Sequence, residues 1–356
     1  MIRVDKCGAP SGILRASMLI VAGAMALACG AQSARGQSAN FGPSNPLYSP
    51  SALPYHAPPF DRLKDADYQP AIEAGMAEQL KEIAAIANNR AAATFENTIV
   101  AMEKTGRLLD RATSDFDAVT GANIDPQLQK VKDIEAPKLA AHEDAIFLDA
   151  KLFQRVAAIY KQRNSLKLDP ESLRLVDFYY KKFVHSGANL SDADKAKLKK
   201  LNEEESTLSD EFIKKLIEGT KDGAFATTDK EALAGLSEAQ LAAAAQSAKD
   251  RKRSGYVIPL QNTTQQPDFD VLSARSTRKT IFENSWNRTE RGGANDTRAT
   301  IARMAQIRAE KAKLLGFPNY AAWKLEDQMA KTPEAALKFI NALVAPSTAK
   351  AVSEAK

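Results

Sequence analysis

"SDADKAKLKKLNEEESTLSDEFIKKLIEG", Ser191 to Gly219, decides the fold class. Leu198, Leu201, Leu208, Phe212 and Leu216 fall on one stripe at helical spacing, and charged residues fill the rest. Ser191 followed by Asp194 resembles a capping box that starts the helix. A stripe of this kind marks a core face, so the stretch predicts a long helix packed on neighbours.

Outward from it, helix starts recur. Thr94 with Asn97, Thr228 with Glu231 and Ser237 with Gln240 read as capping boxes. Asp169-Pro170-Glu171 and Thr332-Pro333-Glu334 place a cap residue before a proline at the first helical position. A second stripe runs through Ile301, Met304, Ile307 or Arg308, Ala312 and Leu315. Short linkers join these segments, which predicts an all-α architecture with antiparallel neighbours. One segment breaks the pattern. "GYVIPLQ", Gly255 to Gln261, reads as a short strand or extended crossing, and the polar "NTTQQP" after it (Asn262 to Pro267) reads as a loop. No period of 20–50 residues is visible, which disfavours a solenoid.

The bulk numbers fit a globular chain. Of 356 residues, 44% are hydrophobic and 26% charged, and the formal net charge of +5 is spread among acidic residues. No footprint of nucleic-acid binding stands out, and no such partner is expected. The two cysteines, Cys7 and Cys29, sit in the first 30 residues, so the body holds neither a disulfide nor a thiolate metal site. Residues 1–36 read as a secretory signal: Arg3, Lys6 and Arg15 precede the apolar "MLIVAGAMALA" of Met18 to Ala28. Export, to a periplasm, is the expectation. The alternative is a lipoprotein anchored through Cys29, which Ala26 at the usual aliphatic position disfavours. A membrane contact is expected only if Cys29 is lipidated. Residues 37–62 form an arm with prolines at 43, 46, 50, 54, 58 and 59, whose Phe41, Leu47, Tyr48, Leu53 and Tyr55 should pack on a surface. Residues 63–356 form the helical body.

Candidate chemistry is sparse. "AHEDAIF", Ala141 to Phe147, opens like the zinc motif H-E-x-x-H, but Ile146 stands where the second imidazole belongs. One His with Glu143 or Asp144 is an unusual zinc set. The plainer reading puts His142 near the exposed side of a helix whose Ala145, Ile146 and Leu148 are buried. His185 suits a helix C-terminus, with Gly187 as its C-cap. His56 has no second ligand nearby in the sequence. "KDRKR", Lys249 to Arg253, reads as a solvated helix end. Phosphate-binding loops, dinucleotide fingerprints and nucleophile elbows are missing from the sequence. No catalytic, cofactor-binding or metal-ligating residue is assigned.

Several stretches resemble one family. "NPLYSPSALPYHAPPFDRLKDADYQPAIEAGM" (Asn45 to Met76), "TFENTIVAMEKTG" (Thr94 to Gly106), "APKLAAHEDAIFLDAKLF" (Ala136 to Phe153), "IPLQNTTQQP" (Ile258 to Pro267) and "SWNRTERGGANDTRATIARMAQIRAEKAKLLGFPNYAAWKLEDQMAKTPE" (Ser285 to Glu334) are similar to bacterial peptidyl-dipeptidases, grouped with oligopeptidase A and thimet oligopeptidase. The resemblance implies a zinc metallopeptidase that releases dipeptides from the C-terminus of short peptides. It implies a mostly helical, two-lobed fold split by a deep channel, of which this chain forms the amino-terminal half and one wall. It places the zinc motif beyond Lys356, so the chain alone is expected to bind no zinc and to be an inactive monomer. Exposed apolar surface is expected on the channel side. The competing reading is a stand-alone helical protein that binds peptides or a partner without catalysis.

Overall fold

The computed structural model describes residues 41–123, 125–261 and 266–355. The stretch read as a secretory signal, residues 1–36 with Cys7 and Cys29, lies outside the described residues, as do positions 262–265 of the polar loop. The body is helical. It comprises α1 (Asp65–Ala87), a π-helical turn (Phe95–Val100) running into α2 (Ala101–Glu103), α3 (Arg107–Ala122), α4 (Pro126–Phe147), α5 (Ala150–Gln162), α6 (Pro170–His185) and α7 (Asp192–Asp222). Beyond α7 come β1 (Phe225–Thr227), α8 (Glu238–Asp250), β2 (Tyr256–Ile258), α9 (Arg275–Trp286), α10 (Arg298–Leu314), α11 (Tyr320–Leu325) and α12 (Pro333–Glu354). An all-α fold with one small extended feature is what the stripes and caps predict.

Neighbouring helices form a series, α3 on α1, α1 on α4, α4 on α7 and α7 on α10. Three cores hold it. The first joins α1, α3 and α4 through Tyr68, Ile72, Ala112, Phe116 and Leu128, with Leu47 of the arm sealed into it. Arg111 donates to the Leu47 carbonyl at 2.9 Å and Asn45 donates to that of Asp67 at 2.9 Å, which fixes the arm around Leu47, while Tyr48, Leu53 and Tyr55, expected to pack, are exposed. The second gathers Ile83, Ile99, Leu152, Val156, Ile159 and Phe183 from α1, the π-turn, α5 and α6. A third lies under the two-stranded sheet and joins Leu241, Ile258 and Ile281 of α8, β2 and α9. In that sheet β1 and β2 pair antiparallel, Phe225 opposite Ile258, and Pro259 ends the strand.

Local sequence explains most boundaries. Thr94–Asn97 and Ser237–Gln240 form reciprocal capping boxes, and Asp169, Ser191 and Thr332 cap their helices. Thr228 does not. Thr227 closes β1, and Asp229 accepts the Glu231 amide of a short 3-10 turn instead. Gly187 takes φ 97° after α6, and Ala188 donates back to the Phe183 carbonyl at 2.9 Å, a Schellman closure that only glycine enters without strain. Gly75 serves a different need. A Cβ there would stand 2.7 Å from the Leu109 backbone, so its absence sets how closely α1 approaches α3. Ile301 is half exposed, not part of the stripe, whose buried members are Met304, Ile307 and Ala312. Of the α7 stripe, Leu198 and Leu201 are buried, and Leu208, Phe212 and Leu216 are half-buried. α12 buries none of its side chains and presents Leu337, Phe339, Ile340, Leu343 and Val344 to solvent.

The α4–α7 contact carries a carboxyl pair. Gln129 donates to Asp133 at 2.7 Å and Lys214 donates to it at 3.0 Å, with Asp210 of α7 alongside. Burial and the Asp133 carboxyl push Asp210 up to about 6. Burial also works to raise Asp133, but hydrogen bonds from Asp210, Gln129 and Lys214 hold it below the usual range. Below about pH 6 the folded state therefore keeps one proton on the pair. The Asp210 contribution is full below the ordinary carboxyl value and is lost as pH rises through about 6. The Asp133 contribution runs the other way, lost as pH falls through its depressed value. Asp210 should therefore lower stability as pH rises from the ordinary carboxyl value through about 6, and Asp210→Asn should remove that part of the pH dependence. Urea unfolding at a series of pH values checks this; an unchanged slope in the variant would contradict it.

Candidate functional site

α4 is covered on two sides, by α1 and by α7, and this arranges the site. Residues 142 and 146 turn toward α1. His142 is buried, and its Nε2 lies 2.7 Å from Gln79 Oε1 of α1. Since Gln79 Oε1 accepts, Nε2 carries the proton and Nδ1 is left bare, without a partner. Burial pushes the imidazole below its ordinary range, so it stays neutral. Asp144 turns the other way, toward α7, where Asn202 Nδ2 donates to it at 2.6 Å. Burial raises this carboxyl against the hydrogen bond from Asn202. The expected exposed placement of His142 is thus corrected: His142 and Asp144 are buried, and Ala145, expected inside, is exposed.

The third face of α4 is open. Ala140, Glu143 and Phe147, one helical stripe, line two adjoining hollows together with Ser206 of α7. The larger, about 780 Å³, runs between α1, α3, α4 and α6 past Glu103, Arg107, His142, Tyr179 and Lys182. Tyr179 donates to Glu103 at 2.5 Å, and burial and that carboxylate raise its phenol well above the usual range. Lys182 sits over the Phe147 ring, 4.3 Å from its centroid. The smaller, about 370 Å³, is closed by α10 and α11 through Lys311, Trp323 and Lys324. There Glu205 of α7 accepts from Arg308 at 2.8 Å and from Lys311 at 2.7 Å. Burial alone would raise Glu205, but these two cations hold it below the carboxylate range. Beside it, Arg303 grips Glu204 through Nε at 2.6 Å and Nη2 at 2.7 Å. His185 caps this end: it pairs with Glu326, lies against Phe317 and offers its carbonyl to Trp323 Nε1 at 3.3 Å. Its place at a helix end is as read from sequence, but its partners in α11 and on either side of it are new.

The arrangement offers aromatic surface and charges of both signs, the means to hold a ligand that carries both apolar and polar groups. A zinc ion does not fit these residues. Among the described residues no three His, Cys, Asp or Glu side chains are placed to share a metal ion. His142 is committed to Gln79, Asp144 to Asn202, and Glu143 faces solvent. His56 bonds the Ser51 carbonyl through Nδ1 at 2.8 Å, and the Lys249–Arg253 run is an exposed helix end. Sequence reading missed Gln79, Glu205, Lys311 and Trp323, whose partners lie tens of residues away. Lys311 is 8% exposed and holds one oxygen of Glu205. Lys311→Met should cost about 1–3 kcal/mol by leaving that oxygen unpaired in a buried place. Adding Glu205→Leu should recover part of the loss, measured by denaturant unfolding; a neutral single variant would contradict the pairing.

Comparison with known proteins agrees with this layout. Residues 271–356 match the model of peptidase family M3. The chain is 47% identical over 312 residues to dipeptidyl carboxypeptidase of Salmonella typhimurium, a match covering 87% of this chain and 46% of that protein. Dipeptidyl carboxypeptidase of Escherichia coli is 46% identical over 311 residues, with the same coverage. Oligopeptidase A of Escherichia coli is 22% identical over 301 residues, 83% of this chain and 44% of that protein. The chain thus spans less than half the length of these relatives. On the strength of these matches the chain belongs to peptidase family M3.

Proposed function

We propose that this chain is the amino-terminal part of an exported zinc peptidase of the peptidyl-dipeptidase type, one that removes dipeptides from the C-terminus of short peptides. The observation that carries the reading is the identity of 46–47% to two dipeptidyl carboxypeptidases across 87% of the chain. In this reading the chain supplies a wall. Glu143, Lys182, Arg107 and the Glu205–Lys311 pair face a substrate from α4, α6, α3, α7 and α10, and zinc is held by residues outside this chain. Paired charges on rigid helices position a peptide without reacting with it. The leader over residues 1–36 directs export to a periplasm, with lipidation at Cys29 as the other course.

Purified alone, the chain is predicted to bind no stoichiometric zinc and to leave short peptides uncut. Joined to the portion of the Escherichia coli dipeptidyl carboxypeptidase that it does not match, it is predicted to release C-terminal dipeptides. Metal analysis and mass spectrometry of the products read both. One tightly held zinc per isolated chain would contradict the reading, and so would a zinc-loaded, folded chimera that cuts peptides only internally.

A further inference from the structure

α9 carries a second surface that shares no lining residue with the cleft on α4. Its buried side is Thr277, Ile281 and Ser285. Its opposite stripe is Arg275, Lys279, Phe282 and Trp286, spaced at i, i+4, i+7 and i+11, with cations at the start and aromatics at the end. Phe282 and Trp286 stack with centroids 5.7 Å apart, and Phe269 lies 6.5 Å from Phe282. A hollow of about 430 Å³ opens between Phe269, Phe282 and the cationic turn. Trp286 is 61% exposed and Phe282 48%. Aromatics left in water beside a hollow are the kind of anchor that binding interfaces bury.

The charges decide the occupant. Arg278 is tied down by the carbonyls of Leu272 and Ser273. Arg275 is exposed and its guanidinium is free among the described residues. Lys279 has only Glu283, at 3.7 Å and largely solvated, a contact that contributes little and exchanges readily. Two available cations favour carboxylates. They make too short a track for a nucleic-acid strand, which needs a basic groove along its backbone. From Arg275 to Trp286 the helix advances ~16 Å, the reach of about five residues of extended peptide.

We propose that this stripe docks an acidic peptide segment, carboxylates on Arg275 and Lys279 and an apolar or aromatic side chain about four residues further on, seated between Phe269, Phe282 and Trp286. The full chain has two tryptophans, and Trp323 is buried, so Trp286 reports on the surface directly. The probe is a labelled eight-residue peptide with glutamates in its first half and phenylalanines in its second. It should shift tryptophan emission to the blue and bind saturably, weakening with salt. Arg275→Glu with Lys279→Glu should raise Kd at least tenfold, and Phe282→Ala should do the same. Trp286→Phe should abolish the emission shift and weaken binding read by anisotropy of the label. All four positions are exposed, and circular dichroism confirms that each variant is folded. Equal binding of the lysine-for-glutamate peptide, unchanged affinity in the charge-reversed variant, or tighter binding of oligothymidylate than of the peptide would each overturn the proposal.

Discussion

The series α3, α1, α4, α7 and α10 is arranged around a helix that is covered twice. α4 lies between α1 and α7, and positions two apart on a helix point ~200° away from each other, so both covering helices receive side chains from alternate positions. The sequence of α4 has no matching pair of apolar stripes. Polar groups are therefore buried on both sides, each with a specific partner: His142 with Gln79 of α1, Asp144 with Asn202 of α7, and Glu135 with Lys138, which also reaches Glu73 of α1. Buried polar groups are costly unless they are paired, so these contacts fix the register of three helices more tightly than apolar packing would. The Gly75 approach and the Leu47 plug set the α1 side; the α7–α10 ion pairs set the other.

With two faces spoken for, the third is the one left for a ligand. Ala140, Glu143 and Phe147 form the floor between the two hollows, and the walls come from α1 and α7, which pack on α4, and from α3, α6, α10 and α11 beyond them. The charges there are held in pairs, Glu205 by Lys311 and Arg308, Glu103 by Tyr179. Such a wall presents fixed dipoles and aromatic surface to an extended chain, in keeping with a peptidase family. The surface on α9 differs in kind. Its cations are free or loosely held and its aromatics are exposed, so it can gather a partner from solution.

The class of fold was legible in the sequence because it rests on local signals. Capping residues, proline at the first helical turn and the Gly187 C-cap act within a few residues of themselves, and all but the Thr228 box are found where they were read. The resemblance in Ser285 to Glu334 was legible for the same reason, as contiguous residues. Burial of His142 was not. Periodicity assigns a helix one core face, and nothing in "AHEDAIF" announces that α1, some 60 positions earlier, takes His142 while α7, some 60 positions further on, takes Asp144. The "EEE" run of Glu203 to Glu205 reads as solvated acid until Arg303, Arg308 and Lys311 are brought to it from about 100 residues away. Thr228 looked like a cap because the box pattern is short, and a strand that pairs with Tyr256 claimed its neighbour Thr227 instead.

Amide hydrogen exchange tests the double cover of α4 most directly. Native-state exchange grades each amide by the opening that exposes it. The account predicts that amides of His142 to Ile146 exchange only through global unfolding, with the same free energy as those of α1 around Ile72. Amides of α12, which buries nothing, should exchange by local fraying. Exchange in the His142 to Ile146 turn as fast as in α12 would show that α4 is not held between α1 and α7, and the account would fail.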